Sequence, residues 1–318
     1  MTAGPSGIPW SRVLRITAVT VVVVFVAVFV VTNWDDVRAG LLRLEPSDVV
    51  VALAAALVGV VASMLSWRAL VTGAGSPLRV TAAARVFFLG QLGKYVPGSV
   101  WPIVAQMELS QRYAVPRSRT AFAALTQMLV GIVTGIVVAA VLLTLSPTGV
   151  FTEYRWLTAV GLVSMIALLP PVLNVGVRLA ARLTGGRMTA PEPLRWRTVG
   201  TSAAWAIVMW AAFGVHTWVM AARLGPPAAD LWLLSTGGYA LASVVGIVII
   251  ILPAGAGARE AILVLVFSGV LSSEDAIVLA LVSRFIMLVA DLAGAGVAVA
   301  VTRRDRGRVT LPEADAST

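Results

Sequence analysis

Residues 120–145 carry no charged side chain and are predominantly apolar, so this stretch is long enough to cross the hydrocarbon core of a bilayer. A crossing takes about 20 residues because each residue of an α-helix adds about 1.5 Å. The whole chain has this character, since 59% of its 318 residues are hydrophobic and only 12% are charged. A soluble domain carries about a quarter charged residues. The sequence therefore predicts an all-α polytopic membrane protein.

Six such runs predict about six transmembrane helices within a single domain over 13–302, between a cytoplasmic N-terminus at 1–12 and a basic tail at 303–318. The runs lie at 13–31, 49–70, 120–145, 156–177, 198–222 and 276–302. No A-x-A-like cleavage site follows the first run, so it is interpreted as a helix and not as a signal peptide. Pro170 and Pro171 should kink or end the fourth run.

Two further apolar stretches, at about 80–111 and 231–270, are broken by proline and glycine. Proline removes a backbone donor and glycine lets the chain turn, so a helix should stop at Pro97-Gly98 and again at Pro253. Irregular backbone at membrane depth is tolerated only where it is buried in protein or lines a wet cavity. The second arms are short, which favours two re-entrant helical hairpins. Two full crossings at each break have the same parity and stay an alternative.

The order of span, broken pair and span occurs twice, at about 49–145 and about 198–302, with a connecting span at about 156–177. With the N-terminus in the cytoplasm, sixteen arginines fall in inside loops and termini and four in outside loops. The positive-inside rule thus predicts that both termini of a bacterial plasma-membrane protein are cytoplasmic. The two broken pairs then enter from opposite sides. Inverted repeats with broken helices are typical of secondary transporters, which bind substrate near the bilayer midplane.

Composition excludes several kinds of chemistry. The chain has no cysteine, and its single histidine, His216, cannot form a histidine-rich metal site. The net charge of +9 comes from bases in short loops, which is a topology signal and not a nucleic-acid footprint. Gly90-x-x-Gly93-Lys94 lacks the spacing and the Ser/Thr of a phosphate-binding P-loop. We therefore expect no catalytic residue, no metal and no cofactor.

Ionisable residues inside the predicted membrane region are the best candidates for function, because each costs about 2.5–3.5 kcal/mol at a helix centre. They are Arg85, Lys94, Glu108, Arg259, Glu260, Arg284 and Asp291. Arg284 lies too deep to snorkel comfortably, and Asp291, seven residues on, shares its helix face. Glu260 is interpreted either as a ligand or proton site or as the partner of an arginine. Arg85 and Glu108 fit a solvated cytoplasmic mouth, and His216 a structural role.

Two stretches carry a family resemblance: Gly-Gln-Leu-Gly-Lys-Tyr-Val-Pro-Gly-Ser-Val-Trp at 90–101, and Leu-Pro-Ala-Gly-Ala-Gly-Ala-Arg-Glu at 252–260 with Arg284 downstream. Together they resemble the transmembrane domain of bacterial lysylphosphatidylglycerol synthases and its stand-alone relatives. The second stretch fits the pattern P-x-G-x-G-x-x-E. The first departs from the commoner form, with Trp101-Pro102 where many members carry Gly-Glu.

The resemblance implies a flippase-type domain that moves a lipid between leaflets, here without synthesis because the chain ends soon after Val301. The expected substrate is an anionic phospholipid or a polyprenyl-phosphate-linked lipid, and a cell-envelope glycosyltransferase or lipid-modifying enzyme is a further expected partner. A membrane-embedded lipid transferase and an accessory subunit that presents lipid to a glycosyltransferase are the alternatives. The residues expected to bind lipid are Lys94, Tyr95, Pro97, Gly98, Ser99, Glu108, Pro253, Gly255, Gly257, Arg259, Glu260, Arg284 and Asp291.

This expectation has a physical basis in the breaks. Each break leaves backbone donors at the start of its second arm, and a helix N-terminus carries roughly half a positive charge. Lys94, Arg259 and Arg284 should add to that charge if they converge, which would favour a phosphate-bearing headgroup. Glu260 and Asp291 should keep the empty site near neutrality.

Overall fold

The computed structural model describes residues 28, 31–32, 34–95, 100–146, 156–183, 192–225, 230–248 and 257–308. Within these ranges all regular secondary structure is helical, which confirms the all-α prediction. The α-helices are α1 (Trp34–Arg43), α2 (Pro46–Gly73), α3 (Val80–Gln91), α4 (Trp101–Ser110), α5 (Arg117–Leu145), α6 (Trp156–Ser164), α7 (Pro170–Leu183), α8 (Trp196–Leu224), α9 (Leu231–Val248), α10 (Ala258–Phe267) and α11 (Ser273–Arg308). Short 3-10 turns follow three of them, at Leu92–Tyr95, Gln111–Tyr113 and Met165–Leu168.

Five of the described helices are long and apolar enough to cross a membrane, namely α2, α5, α8, α9 and α11. The chain is therefore a multi-pass membrane protein. The first expected span, 13–31, lies almost wholly outside the described residues, as do the breaks at 96–99 and 249–256. Helix α9 is longer than a re-entrant arm requires, because its 18 residues extend about 27 Å. The hairpins and the inverted repeat stay predictions.

The helices of the two halves pack on each other in a reciprocal pattern. The most extensive pairing joins α2 to α8, the first span of each predicted repeat. Helix α3 packs on α11, and correspondingly α9 packs on α5. Within each broken pair the two arms also lie together, α3 with α4 and α9 with α10. One apolar core therefore runs through both halves, and the broken pairs lie inside it.

At one end of the bundle, ion pairs join loops that are far apart in sequence. Arg43 pairs with Asp275 at the start of α11. Arg223, in the last turn of α8, lies 2.7 Å from a carboxylate oxygen of Glu45 and 2.8 Å from one of Asp48. These loops are the ones that the arginine distribution assigns to the outside, so the structure groups them at the same end.

The opposite end of α2 gathers the arginine-rich loops. The Arg119 guanidinium donates to the carbonyl of Gly75 over 2.6 Å, and Arg68 donates to the carbonyl of Leu78 over 2.8 Å. Both carbonyls belong to the turn between α2 and α3. The loops at 68–79 and 112–119 therefore share one end of the bundle, as the charge pattern predicts.

The segment between the two halves is bent, as the paired prolines predict. Residues Thr158–Leu168 and Pro170–Gly176 meet at an angle of 62°. Proline cannot donate the hydrogen bond that would continue the preceding helix, and its ring clashes with the carbonyl one turn back. The predicted kink at Pro170 is confirmed, and α7 begins there in a new direction.

The Gly131-x-x-x-Gly135 spacing in α5 serves two different purposes. A Cβ atom built on Gly135 would lie 2.6 Å from Val244 Cγ2 and 2.8 Å from Trp210 Cζ2, so this glycine lets α5 pack closely on α8 and α9. A Cβ atom built on Gly131 would meet no atom within 4 Å. Gly131 is buried but borders open space, which turns out to be the central cavity.

Gly93 lets the two arms of the first broken pair cross. A Cβ atom there would lie 2.8 Å from the backbone nitrogen of Pro102, and backbone cannot move aside as a flexible side chain can. We expect Gly93→Ala to destabilise the protein by about 1–3 kcal/mol through overpacking. Gly176→Ala is the control, because its Cβ meets nothing within 4 Å and alanine favours helix. Thermal unfolding in detergent measures both; equal midpoints would contradict the close crossing.

Candidate functional site

A cavity of about 290 Å³ lies inside the helical bundle. Helices α2, α3, α4, α5, α8, α9, α10 and α11 all contribute to its wall, so both halves of the chain enclose it. Its charged lining residues are Lys94, Arg259, Arg284 and Asp291. Four of the seven ionisable residues that the sequence places in the membrane region therefore converge on one space.

Lys94 and Tyr95, at the end of the first arm, bind Asp291 of α11. The Lys94 ammonium lies 2.6 Å from Asp291 Oδ2, and the Tyr95 hydroxyl donates to the same oxygen over 2.6 Å. Tyr95 and Asp291 are buried at 5% and 4% exposure, whereas the Lys94 side chain keeps 30%. The buried carboxylate is thus neutralised by a partly accessible ammonium, and this contact ties the first repeat to the second.

Arg284, one turn pair earlier on α11, forms an ion pair with Glu260 of α10. The second carboxylate oxygen of Glu260 accepts a hydrogen bond of 2.6 Å from the backbone N–H of Gly257. Glu260 therefore caps the start of α10 while it neutralises the arginine. Gly257 has a φ of +85°, which an L side chain adopts only under strain, so the glycine allows the cap to form. This arrangement gives a physical reason for the G-x-x-E part of the second motif.

Arg259 differs from the other two cations because it has an aromatic partner. It donates to the Tyr239 hydroxyl, and its guanidinium carbon lies 4.3 Å from the centre of the Tyr239 ring. Within the described ranges Arg259 forms no ion pair with a carboxylate. Three cations and two carboxylates therefore leave the described site with one net positive charge. Such a site attracts an anion.

A second part of the cavity wall is polar but uncharged. It consists of Ser63, Gln91, Gln106, Gln127 and Ser243. The Gln127 amide donates to the Ser63 hydroxyl over 3.2 Å. Gln106 is 3% exposed, and its carboxamide oxygen has no hydrogen-bond partner among the described residues. A buried acceptor left unpaired costs about 1–3 kcal/mol, which a hydroxyl or N–H of a bound ligand could recover.

An apolar groove of about 480 Å³ lies beside the cavity, between α5, α8 and α9. Its lining is almost entirely aliphatic and aromatic, with Trp218 and Trp232 among its members. Trp210 belongs to both spaces, since it lines the cavity as well as the groove. Its indole N–H donates to the Thr134 hydroxyl over 3.0 Å, which fixes the ring between them.

The other residues predicted from the sequence have different positions. Glu108 lies at the surface with its side chain 57% exposed and pairs with Arg117 over 2.7 Å, so it is not part of the cavity. Arg85 is not among the lining residues, and His216 is fully buried with its ring against Tyr239. Five predicted binding residues lie outside the described ranges: Pro97, Gly98, Ser99, Pro253 and Gly255.

Sequence reasoning missed Tyr239 and the uncharged polar wall. Tyr239 lies in the middle of an apolar run, where a lone aromatic gives no signal of function. Gln127 could have been found, because it is the only side chain with an amide in the run 120–145. A polar side chain in a span that is otherwise apolar faces the protein interior far more often than lipid.

Residues 14–294 match the family model described as the lysylphosphatidylglycerol synthase TM region. The match covers most of the chain and confirms the resemblance carried by the two glycine- and proline-containing motifs. Comparison with curated proteins finds no match to this chain.

Proposed function

Because the chain belongs to the lysylphosphatidylglycerol synthase transmembrane-region family, whose description points to a lipid-related role in the membrane, we propose that it is a lipid translocase. It moves an anionic phospholipid or a polyprenyl-phosphate-linked lipid between leaflets without modifying it chemically. The observation that carries the proposal is the cavity with one net positive charge enclosed by membrane-spanning helices.

The difficulty of moving a lipid across a bilayer lies in its headgroup, because a charge in hydrocarbon is costly. The cavity offers Arg259 as a cation without a carboxylate partner, together with Lys94 and Arg284. The acyl or prenyl tails need no polar shelter, and the adjoining apolar groove suits them. A lipid could then bind with its phosphate in the cavity and a tail in the groove, on either side of Trp210.

The contacts of the two broken pairs support the hairpin hypothesis. Lys94 lies next to the first break and Arg259 next to the second, and both line the same cavity. Their partners on α11, Asp291 and Arg284, are seven residues apart, or about 10 Å along the helix. Full crossings from opposite faces would instead place the two breaks near opposite surfaces. We propose that the breaks meet near the midplane and that rocking of one repeat against the other alternates access.

We further propose that the arginine-rich end of the bundle faces the cytoplasm of a bacterial cell. The cysteine-free chain allows a direct test with single cysteines in intact cells. We expect Arg112→Cys to react only after the cells are opened, and Ser273→Cys to react with an impermeant maleimide from outside. Both positions are exposed in the structure, so a lack of reaction would not be caused by burial. The opposite labelling pattern would reverse the orientation.

Translocation is tested in proteoliposomes that contain a trace of fluorescent phosphatidylglycerol. Dithionite bleaches only the outer leaflet, so a translocase should let bleaching pass half of the label towards completion. Vesicles without protein are the control for leakage and for spontaneous exchange. The lipid recovered afterwards should be chemically unchanged, whereas a modified product would favour a membrane-embedded transferase. Bleaching that stops at half, in vesicles shown to hold folded protein, would contradict the proposal.

A further inference from the structure

We infer that the cavity selects a lipid whose phosphate carries a small, uncharged, hydroxyl-rich group, and that it rejects a headgroup that carries an ammonium. This inference rests on the proposed function and deepens it, since it defines the chemical class of the substrate. Phosphatidylglycerol and a polyprenyl phosphate that bears one sugar share this chemistry.

The first step is electrostatic. Both carboxylates of the site already have cationic partners: Asp291 binds Lys94, and Glu260 binds Arg284. The face of the Tyr239 ring, which could otherwise hold a cation, is covered by Arg259. An ammonium on the ligand would therefore find no partner in the described lining and would be repelled by Arg259.

The second step concerns the uncharged wall. Carboxamides and hydroxyls both donate and accept hydrogen bonds, as do the hydroxyls of glycerol and sugars. Gln91, Gln106, Gln127 and Ser243 present this kind of surface to the cavity. The unpaired oxygen of Gln106 needs a donor, which a ligand hydroxyl can supply. A site built to bind a hydroxyl discriminates strongly against ligands that lack one, because its polar groups are then left unpaired.

The third step is size. A volume of about 290 Å³ corresponds to about ten water molecules at ~30 Å³ each. That is enough for a phosphate and one glycerol or one sugar ring, and too little for an oligosaccharide. The cavity therefore limits both the charge and the length of the headgroup.

The experiment is a competition measured by native mass spectrometry. Purified protein is given equal amounts of phosphatidylglycerol and its lysyl ester with the same acyl chains, which differ in the headgroup alone. We expect the neutral-headed lipid to be retained about tenfold or more over the lysyl form. A second mixture replaces phosphatidylglycerol with a hexosyl polyprenyl phosphate, and the lipid retained more strongly across the two mixtures identifies the source. Equal retention of both forms, preference for the lysyl form, or retention of neither overturns the inference.

Variants assign the selectivity to the wall. Gln127→Leu should lower the preference for the neutral-headed lipid about tenfold, because it removes donors and an acceptor. Gln106→Leu should do the same, and Gln127 is the second site in case the more buried Gln106 is needed for folding. Gln111→Leu is the matched control, since Gln111 is exposed outside the cavity. An unchanged preference in a folded Gln127→Leu variant would also overturn the inference.

The same lipids are then measured in the dithionite assay, so that the two proposals can fail separately. Selective binding without movement in vesicles would refute the translocase and leave the headgroup selectivity standing. Movement with a preference for the lysyl form would refute the selectivity and leave the translocase standing.

Discussion

Arg284→Ala and Glu260→Gln are each expected to reduce lipid translocation to the rate of protein-free vesicles. Arg284 contributes one of the three cations of the cavity, and Glu260 holds that arginine while it caps the start of α10. Removal of the arginine takes away a phosphate-binding charge. Removal of the carboxylate charge releases Arg284 from its fixed position and weakens the cap. The dithionite assay in proteoliposomes measures both effects.

Loss of activity must be separated from loss of folding. Breaking a buried ion pair by removing one partner costs about 3–5 kcal/mol, because the other charge stays buried and unpaired. The double variant Arg284→Met with Glu260→Leu removes both charges and should unfold at a temperature nearer to that of the wild type. We expect this double variant to be folded and still inactive. Translocation at the wild-type rate in the double variant would show that the pair is only structural.

Glu108→Gln is the matched control for Glu260→Gln. Glu108 also pairs with an arginine, but its side chain is 57% exposed at the surface and Arg117 is 55% exposed. Exposed pairs contribute about 0–1 kcal/mol. We therefore expect Glu108→Gln to keep both its unfolding temperature and its translocation rate. A loss of transport in this variant would bring Glu108 back among the substrate-binding residues, where the sequence places it.

Much of the fold follows from the sequence because lipid imposes simple rules on it. A crossing needs a long apolar run, so α2, α5, α8 and α11 could be predicted from composition along the chain. Proline stops a helix for local reasons, so the bend at Pro170 was predictable as well. The distribution of arginine groups the loops by side, and the ion pair between Arg43 and Asp275 joins two loops of one predicted group.

The site could be predicted only in part. Arg284 and Asp291 were identified because a charge at that depth needs a partner, and the structure supplies Glu260 and Lys94. Which carboxylate pairs with which cation depends on how α3 and α10 pack against α11, and a linear sequence does not record that. Glu108 illustrates the same limit.

Its apolar neighbours suggest membrane depth, yet the 3-10 turn at Gln111–Tyr113 ends the arm there and brings Glu108 to the surface beside Arg117. Tyr239 shows the converse. Its role depends entirely on Arg259, which lies twenty residues away and reaches it only through the fold of the second broken pair.

Gly131→Leu is expected to abolish translocation by filling the cavity, without destabilising the protein. A Cβ atom at Gly131 meets nothing within 4 Å, so the added side chain projects into the space that the headgroup would occupy. Leucine in place of glycine in a helix interior gains about 0.5–1 kcal/mol of helix propensity, so the unfolding temperature should not fall. Retained lipid in native mass spectra should be lost together with transport.

Gly200→Leu is the matched control for this variant. Gly200 also lies in a long helix with no atom near its Cβ position, but it is exposed on α8 and does not line the cavity. It should gain the same helix propensity and keep full translocation. Gly131→Leu would thus separate the cavity from the rest of the fold, because the two variants differ in what the leucine obstructs. Wild-type transport in a folded Gly131→Leu protein would mean that the headgroup takes another path, along the outer surface of the bundle.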